Sequence, residues 1–120
     1  MELDVVLKRF DRPDEVREFE LGRFELVDMG KVTIGRATYQ PGLKWSVHVG
    51  AALGQASCMV EHVGMVVSGC AVAAMDDGRV IEMRAGDLFY IPPGHDSWVV
   101  GDEAYVSLHF MGAEDYAAKE

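Results

Sequence analysis

Short apolar or alternating runs, separated by turn residues, recur along the chain. Short runs at even spacing, bounded by Gly, Pro and Asp, predict the strands of an all-β sandwich or barrel. No long segment holds the period of an amphipathic helix. The pattern predicts strands at residues 2–7, 23–29, 32–39, 44–49, 57–67, 71–75, 80–83, 88–91, 97–100 and 105–110.

The turns and the chain ends complete this outline. Asp76-Asp77-Gly78, between two strand-like runs, predicts a tight hairpin because Asp and Gly tolerate the positive φ that such a turn needs. Residues 11–20 are charged and irregular, which indicates a solvated connector with at most one helical turn. Residues 112–120 are expected to form a short helix or to fray, with Tyr116 pinning the tail.

The composition fits one globular domain over residues 1–120, because 49% of the 120 residues are hydrophobic. The net charge of -9 argues against a nucleic-acid partner. No apolar run approaches the roughly 20 residues of a membrane span and no secretory signal is recognisable, so we expect a cytoplasmic protein without membrane association. Two cysteines, Cys58 and Cys70, agree with a reducing compartment and are expected as buried thiols, although a disulfide between them stays open.

The segment 86–95 is the most informative part of the chain. Its apolar residues predict a strand, and Pro92 and Pro93 after that strand fix two φ angles and remove two backbone donors. Gly94 supplies a conformation that residues with a Cβ resist. The strand must therefore end in a rigid turn that delivers the imidazole of His95 to a defined place.

The spacing Gly-x5-Pro-x-Gly, from Gly86 to Gly94, resembles the second signature motif of the cupin superfamily. This resemblance implies a cupin barrel, a double-stranded β-helix or jelly roll, with its core at about 32–111 and short strands before it. In the usual motif a metal-binding His follows the last Gly by three residues, and Ser97 stands there in this chain. The blocks 57–64, 75–78 and 91–103 resemble a bacterial subgroup of small single-domain cupins.

The first cupin motif can also be aligned with this chain. It reads Gly-x5-His-x-His, then a Glu, then six residues and a Gly. Counting forward from Gly42 places its first His at His48, and counting back from Gly69 places its Glu at His62. The resemblance thus implies metal ligands at these two histidines, since neutral imidazole is a good ligand. The glycines in the extra stretch 50–56 permit a lid over the mouth but do not require one.

Cys58 and His95 are further candidate ligands. His95 and Ser97 share a strand face, so His95 can stand in for the absent histidine. Cys58 precedes His62 by four residues and would lie roughly 13 Å from it along a regular strand, so both can hold one ion only across a bulge or loop. Glu61 is expected to face away from His62. Such a set of His and thiolate ligands suits zinc first, with iron, nickel or copper as alternatives.

Aromatic and sulfur-containing side chains near these positions suggest a small-molecule pocket at the barrel mouth. Met75 and Met83 are better explained as barrel core, and His109 is expected to be packed or partly exposed. The candidate pocket residues are Trp45, Phe89, Ser97, Trp98 and Met65.

These features favour a small-molecule-binding or sensory cupin protein that holds a divalent metal in its barrel. The alternative is a metal-dependent enzyme, an oxygenase or isomerase, acting on a small organic substrate. No carboxylate base shares the face of the histidines, which favours binding over catalysis. The resemblance also implies a homodimer, in which the strand at 2–7 crosses to a partner sheet and covers an exposed edge.

Overall fold

The chain folds into β-strands joined by tight turns, and the computed structural model describes residues 4–117 of it. Between the third and fourth strands lies a π-helical turn, Ser46–Gly50, which continues into a short helix, α1 (Ala51–Leu53). The prediction of an all-β protein is confirmed. The strands are β1 (Glu15–Phe19), β2 (Gly22–Asp28), β3 (Thr33–Tyr39), β4 (His62–Ser68), β5 (Cys70–Met75), β6 (Val80–Arg84), β7 (Leu88–Ile91), β8 (His95–Val100) and β9 (Tyr105–Met111).

The strands form two antiparallel sheets. The larger has the order β1-β2-β3-β9-β4-β7 and the smaller has the order β6-β5-β8. Because side chains alternate between the two faces of a strand, each sheet presents one apolar face to the interior. The core between them contains Phe24, Ala37 and Val66 from the larger sheet and Ala71 and Val99 from the smaller one. Met75 and Met83 are buried in the same core, as expected.

The predicted hairpin between β5 and β6 is confirmed. Gly78 has a φ of +97°, and its N–H donates to the Met75 carbonyl at 2.9 Å. The Asp77 carboxylate accepts a hydrogen bond from the Arg79 N–H at 3.0 Å. Backbone and side chain therefore close the turn together, and Gly is needed at its left-handed position.

Residues 44–49 do not form the predicted strand. The N–H of Ala51 donates to the Ser46 carbonyl, five residues earlier, which is the hydrogen bond of a π-helical turn. Trp45 and Val49 are buried while Val47 is 57% exposed. Apolar residues four apart share a face of a helix as well as of a strand, so the pattern of this short segment fitted both structures.

Residues 11–20 contain a strand, where the sequence indicated a connector. β1 pairs with β2 across a turn in which Leu21 has a φ of 63°. β1 is the edge strand of the larger sheet, and its Glu15 and Glu18 are exposed. Charged residues are tolerated on an edge strand, which explains why this one resembles a solvated loop in sequence.

The structure at the two ends of the chain agrees in part with the prediction from the sequence. Of the predicted strand at 2–7, residues 2 and 3 lie outside the described residues, and residues 4–7 form no strand. Residues 113–117 form turns and no helix, and residues 118–120 lie outside the described part. Tyr116 is buried and shares a hydroxyl hydrogen bond with Tyr39, so it holds the tail on the barrel as expected. Within residues 4–117 no helix has the length and apolar character needed to cross a membrane.

Candidate metal centre

Three side chains with metal-binding atoms meet inside the barrel: Cys58, His62 and His95. Their ligand atoms all lie within 4.8 Å of one another. All three residues are buried, with 1%, 4% and 6% of their surfaces exposed. The Sγ of Cys58 lies 3.6 Å from Nε2 of His62. A thiolate and an imidazole on one tetrahedral zinc ion are separated by about 3.6 Å, so this pair has the spacing that zinc requires.

Cys58 reaches the site because the predicted strand 57–67 begins only at His62. Cys58 lies before β4 and pairs with His95 in an isolated bridge. The Cys58 N–H donates to the His95 carbonyl at 2.7 Å, and the Gly94 N–H donates to the Cys58 carbonyl at 2.8 Å. The backbone therefore holds the thiol beside the imidazole of His95, and the long separation of a regular strand does not apply.

His95 is positioned by the turn that precedes β8. Its Nδ1 lies 2.9 Å from the Pro92 carbonyl oxygen, an acceptor only, so Nδ1 carries the proton and Nε2 keeps a free lone pair. Metal-binding histidines are commonly oriented by such a bond. Gly94, with a φ of +91°, makes the turn possible.

His62 is oriented by packing. Its Nδ1 is buried and has no hydrogen-bond partner among the described residues. The rings of His109 and Tyr116 meet it edge to face, with centroids 5.0 Å and 5.2 Å from its own. Aromatic walls therefore fix the ring while leaving Nε2 directed at Cys58.

The cluster is neutral in the absence of an ion. Burial, with the neighbouring His109 and His95, lowers the pKa of His62 to about 2. Burial also lowers the pKa of His95 and raises the pKa of the Cys58 thiol to about 11. Desolvation penalises every charged form here, so imidazoles are ready to bind a metal and the thiol must lose a proton to do so.

His109 belongs to the same interior, which the sequence did not predict. It lies on β9 with only 6% of its surface exposed, and burial lowers its pKa to about 4. Its Nε2 lies 3.0 Å from the Ser107 Oγ, while its Nδ1 is buried and has no partner in the described part of the chain. Strand alternation carried the signal, because Tyr105, Ser107 and His109 share the inner face of β9.

A cavity of about 40 Å³ adjoins the cluster. Of the predicted pocket residues, Trp45, Phe89, Ser97 and Trp98 line it together with His62 and His95. The other residues that line it are Tyr39, Ala71, Ala73, Met83, Ile91, Tyr105, Ser107, His109 and Tyr116.

Two predicted site residues lie elsewhere. His48 is half-buried on the π-helical turn, where its Nδ1 lies 2.9 Å from the Lys44 backbone nitrogen, and it is not a member of the cluster. It was a candidate because of its count from Gly42, but residues 46–50 form a π-helical turn and no strand. Met65 is half-buried on β4 and does not line the cavity, because it alternates with the inward-facing His62, Gly64 and Val66.

The two cysteines lie in different environments. Cys58 is buried at the cluster, whereas Cys70 is half-buried, with its Sγ 3.5 Å from a carboxylate oxygen of Glu82. Both are free thiols and no disulfide joins them. The donors Cys58, His62 and His95 thus form one nitrogen and sulfur set that fits a transition metal.

No protein-family model and no curated protein sequence match this chain. Solved structures do match it. A protein of unknown function from Rhizobium leguminosarum bv. viciae 3841 is 17% identical with a TM-score of 0.58, and the match covers 91% of this chain and 97% of that one. Pumpkin seed globulin is 18% identical with a TM-score of 0.61, with 90% and 33% covered. Oxalate decarboxylase of Bacillus subtilis is 23% identical with a TM-score of 0.55, with 78% and 26% covered.

These likenesses show the fold. The chain has the jelly-roll barrel of the cupin-fold proteins, which include the globulin and the decarboxylase. It spans about a third of the globulin and about a quarter of the decarboxylase. Cupin-fold neighbours include enzymes and proteins of unknown function, so the fold alone names no reaction.

Proposed function

We propose that this protein binds a divalent transition metal through Cys58, His62 and His95, and that it acts as a small-molecule-binding or sensory cupin-fold protein. The observation that carries the proposal is the convergence of three ligand atoms, from two separate parts of the chain, within 4.8 Å. Zinc is the first candidate because one thiolate and two imidazoles are among its usual ligands. Iron, nickel and copper are the alternatives.

The finer features of this assignment are also proposals. The blocks that resemble small single-domain bacterial cupins favour a protein of that subgroup, and the two free thiols are in keeping with a cytoplasmic location. A sensory role is supported by a site in which ligand atoms are buried and in place before any ion binds. Metal binding would then stabilise the folded state by mass action.

Metal analysis tests the proposal directly. Protein purified without added metal or chelator is expected to contain close to one equivalent of a transition metal, or to bind one tightly on addition. His95→Ala should abolish this binding, and His48→Ala is the matched control that should retain it. Less than about a tenth of an equivalent, with no tight binding on addition, would reject the metal site. Loss of metal in His48→Ala alone would show that the ligand set is wrong.

A metal-dependent enzyme, an oxygenase or isomerase, is the second candidate. The observation that favours it is the ligand count, because three protein ligands leave a coordination position for a substrate. Against it, no Asp or Glu among the described residues lines the cavity to serve as a base. Oxygen uptake by metal-loaded protein, screened against small phenols, thiols and keto acids, distinguishes the two. Turnover that His95→Ala removes would favour the enzyme.

A further inference from the structure

The residues that line the cavity carry an unusual balance of charge. Among the described residues, none of those lining it is Asp, Glu, Lys or Arg. A divalent ion held by one thiolate and neutral imidazoles would therefore leave one uncompensated positive charge in a largely apolar space. Buried charge without a partner is strongly unfavourable.

We infer that the open metal position binds a small monoanion with oxygen or nitrogen donor atoms, of the size of formate or acetate, and that His109 donates a hydrogen bond to it. This inference rests on the proposed metal site. A ligand with one negative charge neutralises the single positive charge of the metal site. A neutral ligand would leave that positive charge, and a dianion would give the site a net negative charge.

The size of the cavity limits the anion. Its volume is about 40 Å³, so small anions such as formate and acetate match it best. Benzoate does not, because typical sites for organic ligands are about 300 Å³ or larger. The predicted pocket therefore serves a ligand much smaller than an aromatic compound.

His109 supplies the hydrogen-bond donor. Nε2 of His109 lies 3.0 Å from the Ser107 hydroxyl, and when Ser107 donates its proton to Nε2 the imidazole proton lies on Nδ1. That Nδ1 is buried and has no partner among residues 4–117. The ring of His109 lies 5.0 Å from that of His62, centroid to centroid, on the wall of the cavity. An anion on the metal would satisfy a donor that is otherwise left unpaired, and unpaired buried donors are rare.

Trp98 is shared by the cavity and the surface. Its side chain lines both the cavity and a shallow surface groove formed with Gly42, Leu43, Lys44 and Val99. The Lys44 ammonium lies 5.6 Å from the centre of the Trp98 ring and 3.9 Å from a carboxylate oxygen of Asp96. The groove therefore carries a charge pair, and the attraction for a monoanion comes from the metal and His109.

Spectroscopy of the Co²⁺-loaded protein tests the inference without any assay of activity. Formate, acetate and azide, titrated at constant ionic strength and pH, should change the visible d–d bands of the bound cobalt, and benzoate should not. His109→Asn should weaken formate binding by about tenfold to a hundredfold, the range for a lost hydrogen bond to a charged group. Ser107→Ala should weaken it less. His48→Ala should bind formate like the parent.

The outcomes separate the two proposals. Absence of the thiolate-to-cobalt charge-transfer band would mean that the metal site itself fails, and the inference with it. A normal charge-transfer band with d–d bands that no anion changes would keep the metal site and reject the monoanion. Binding of benzoate as tight as that of formate would reject the size limit. Equal formate affinity in folded His109→Asn, checked by circular dichroism, would reject the role of His109.

Discussion

Cys58 Sγ and His62 Nε2 lie 3.6 Å apart although the two residues are separated by three others in the chain. Four residues of regular strand would place them roughly 13 Å apart. The chain shortens this distance because β4 begins at His62 and Cys58 is bound instead to the backbone of His95. The imidazole of His62 is thus held by the strand pairing of β4, whereas the thiol of Cys58 is held by the isolated backbone bridge to His95.

The thiol makes metal binding depend on pH. The pKa of Cys58 is raised to about 11 by burial, so between pH 7 and 9 the metal must displace a proton from sulfur. The imidazoles carry no proton to lose in this range. The affinity for Co²⁺ or Zn²⁺ should therefore rise by about tenfold per pH unit, measured by competition with a chelator of known affinity.

Cys58→Ser should weaken binding and remove this slope, together with the charge-transfer band of the cobalt form. Cys70→Ser is the matched control, since Cys70 lies beside Glu82 and away from the cluster. It should keep both the affinity and the slope. A slope that persists in Cys58→Ser would mean that another group releases the proton.

The sequence predicted the barrel, all three residues of the cluster and four of the five residues expected in the pocket, for physical reasons that can be stated. Turn residues and strand alternation specify β3, β5, β7 and β9 locally, and the rigid turn before His95 follows from its prolines. Cys58 was a candidate, but its contact with His62 depends on where β4 begins, which tertiary pairing decides. His48 was a candidate by its count from Gly42 in the motif that the chain resembles, and the structure places it on the π-helical turn, outside the cluster.

The buried histidines should make the metal-free protein sensitive to acid. His62, with a pKa of about 2, and His109, with a pKa of about 4, are both below the unfolded value of about 6.5. The unfolded chain therefore binds protons that the folded one does not, so stability is present above pH 6.5 and is lost as the pH falls. These two groups together should lower the free energy of unfolding by about 2.4 kcal/mol between pH 6 and 5, and the lowered pKa of His95 adds to this decrease.

Urea unfolding of metal-free protein at several pH values measures this decrease. His109→Asn should remove about half of the decrease due to His62 and His109, because one of the two groups then no longer titrates. His48→Asn, a half-buried control, should leave it nearly unchanged. A slope that does not differ between His109→Asn and the parent would contradict the assignment of His109 as a neutral buried group.

Gly112 lies close against the backbone that precedes β4, next to the metal centre. It has a φ of +85°, and a Cβ there would lie 2.0 Å from the carbonyl oxygen of Glu61, the residue before His62. Gly101 has a φ of +88° but nothing within 4 Å of the same position. Gly101→Ala should cost about 1–2 kcal/mol of unfolding free energy for its backbone conformation alone. Gly112→Ala should cost about 3 kcal/mol or more, because a backbone atom must also move.

Urea unfolding of the two variants gives this comparison, and metal affinity gives a second one. Displacement of the Glu61 carbonyl moves the start of β4, so Gly112→Ala should also weaken Co²⁺ binding, while Gly101→Ala should not. An equal loss of unfolding free energy in the two variants would show that the close approach of Gly112 to Glu61 is not maintained in solution.

The outer face of the larger sheet carries an apolar row that supports the predicted homodimer. Met65 on β4 is paired with Leu88 on β7 and with Leu108 on β9, and Leu88 is 76% exposed. Exposed apolar patches commonly mark contacts between proteins. We propose that a second copy of the chain covers this row.

Leu88→Lys should convert the dimer to a monomer in sedimentation equilibrium without loss of stability, since the side chain is exposed within one chain. Val80→Lys, at an apolar position 63% exposed on β6 of the smaller sheet, should remain dimeric. A monomeric parent protein, or a dimer that Val80→Lys dissociates and Leu88→Lys does not, would refute this interface.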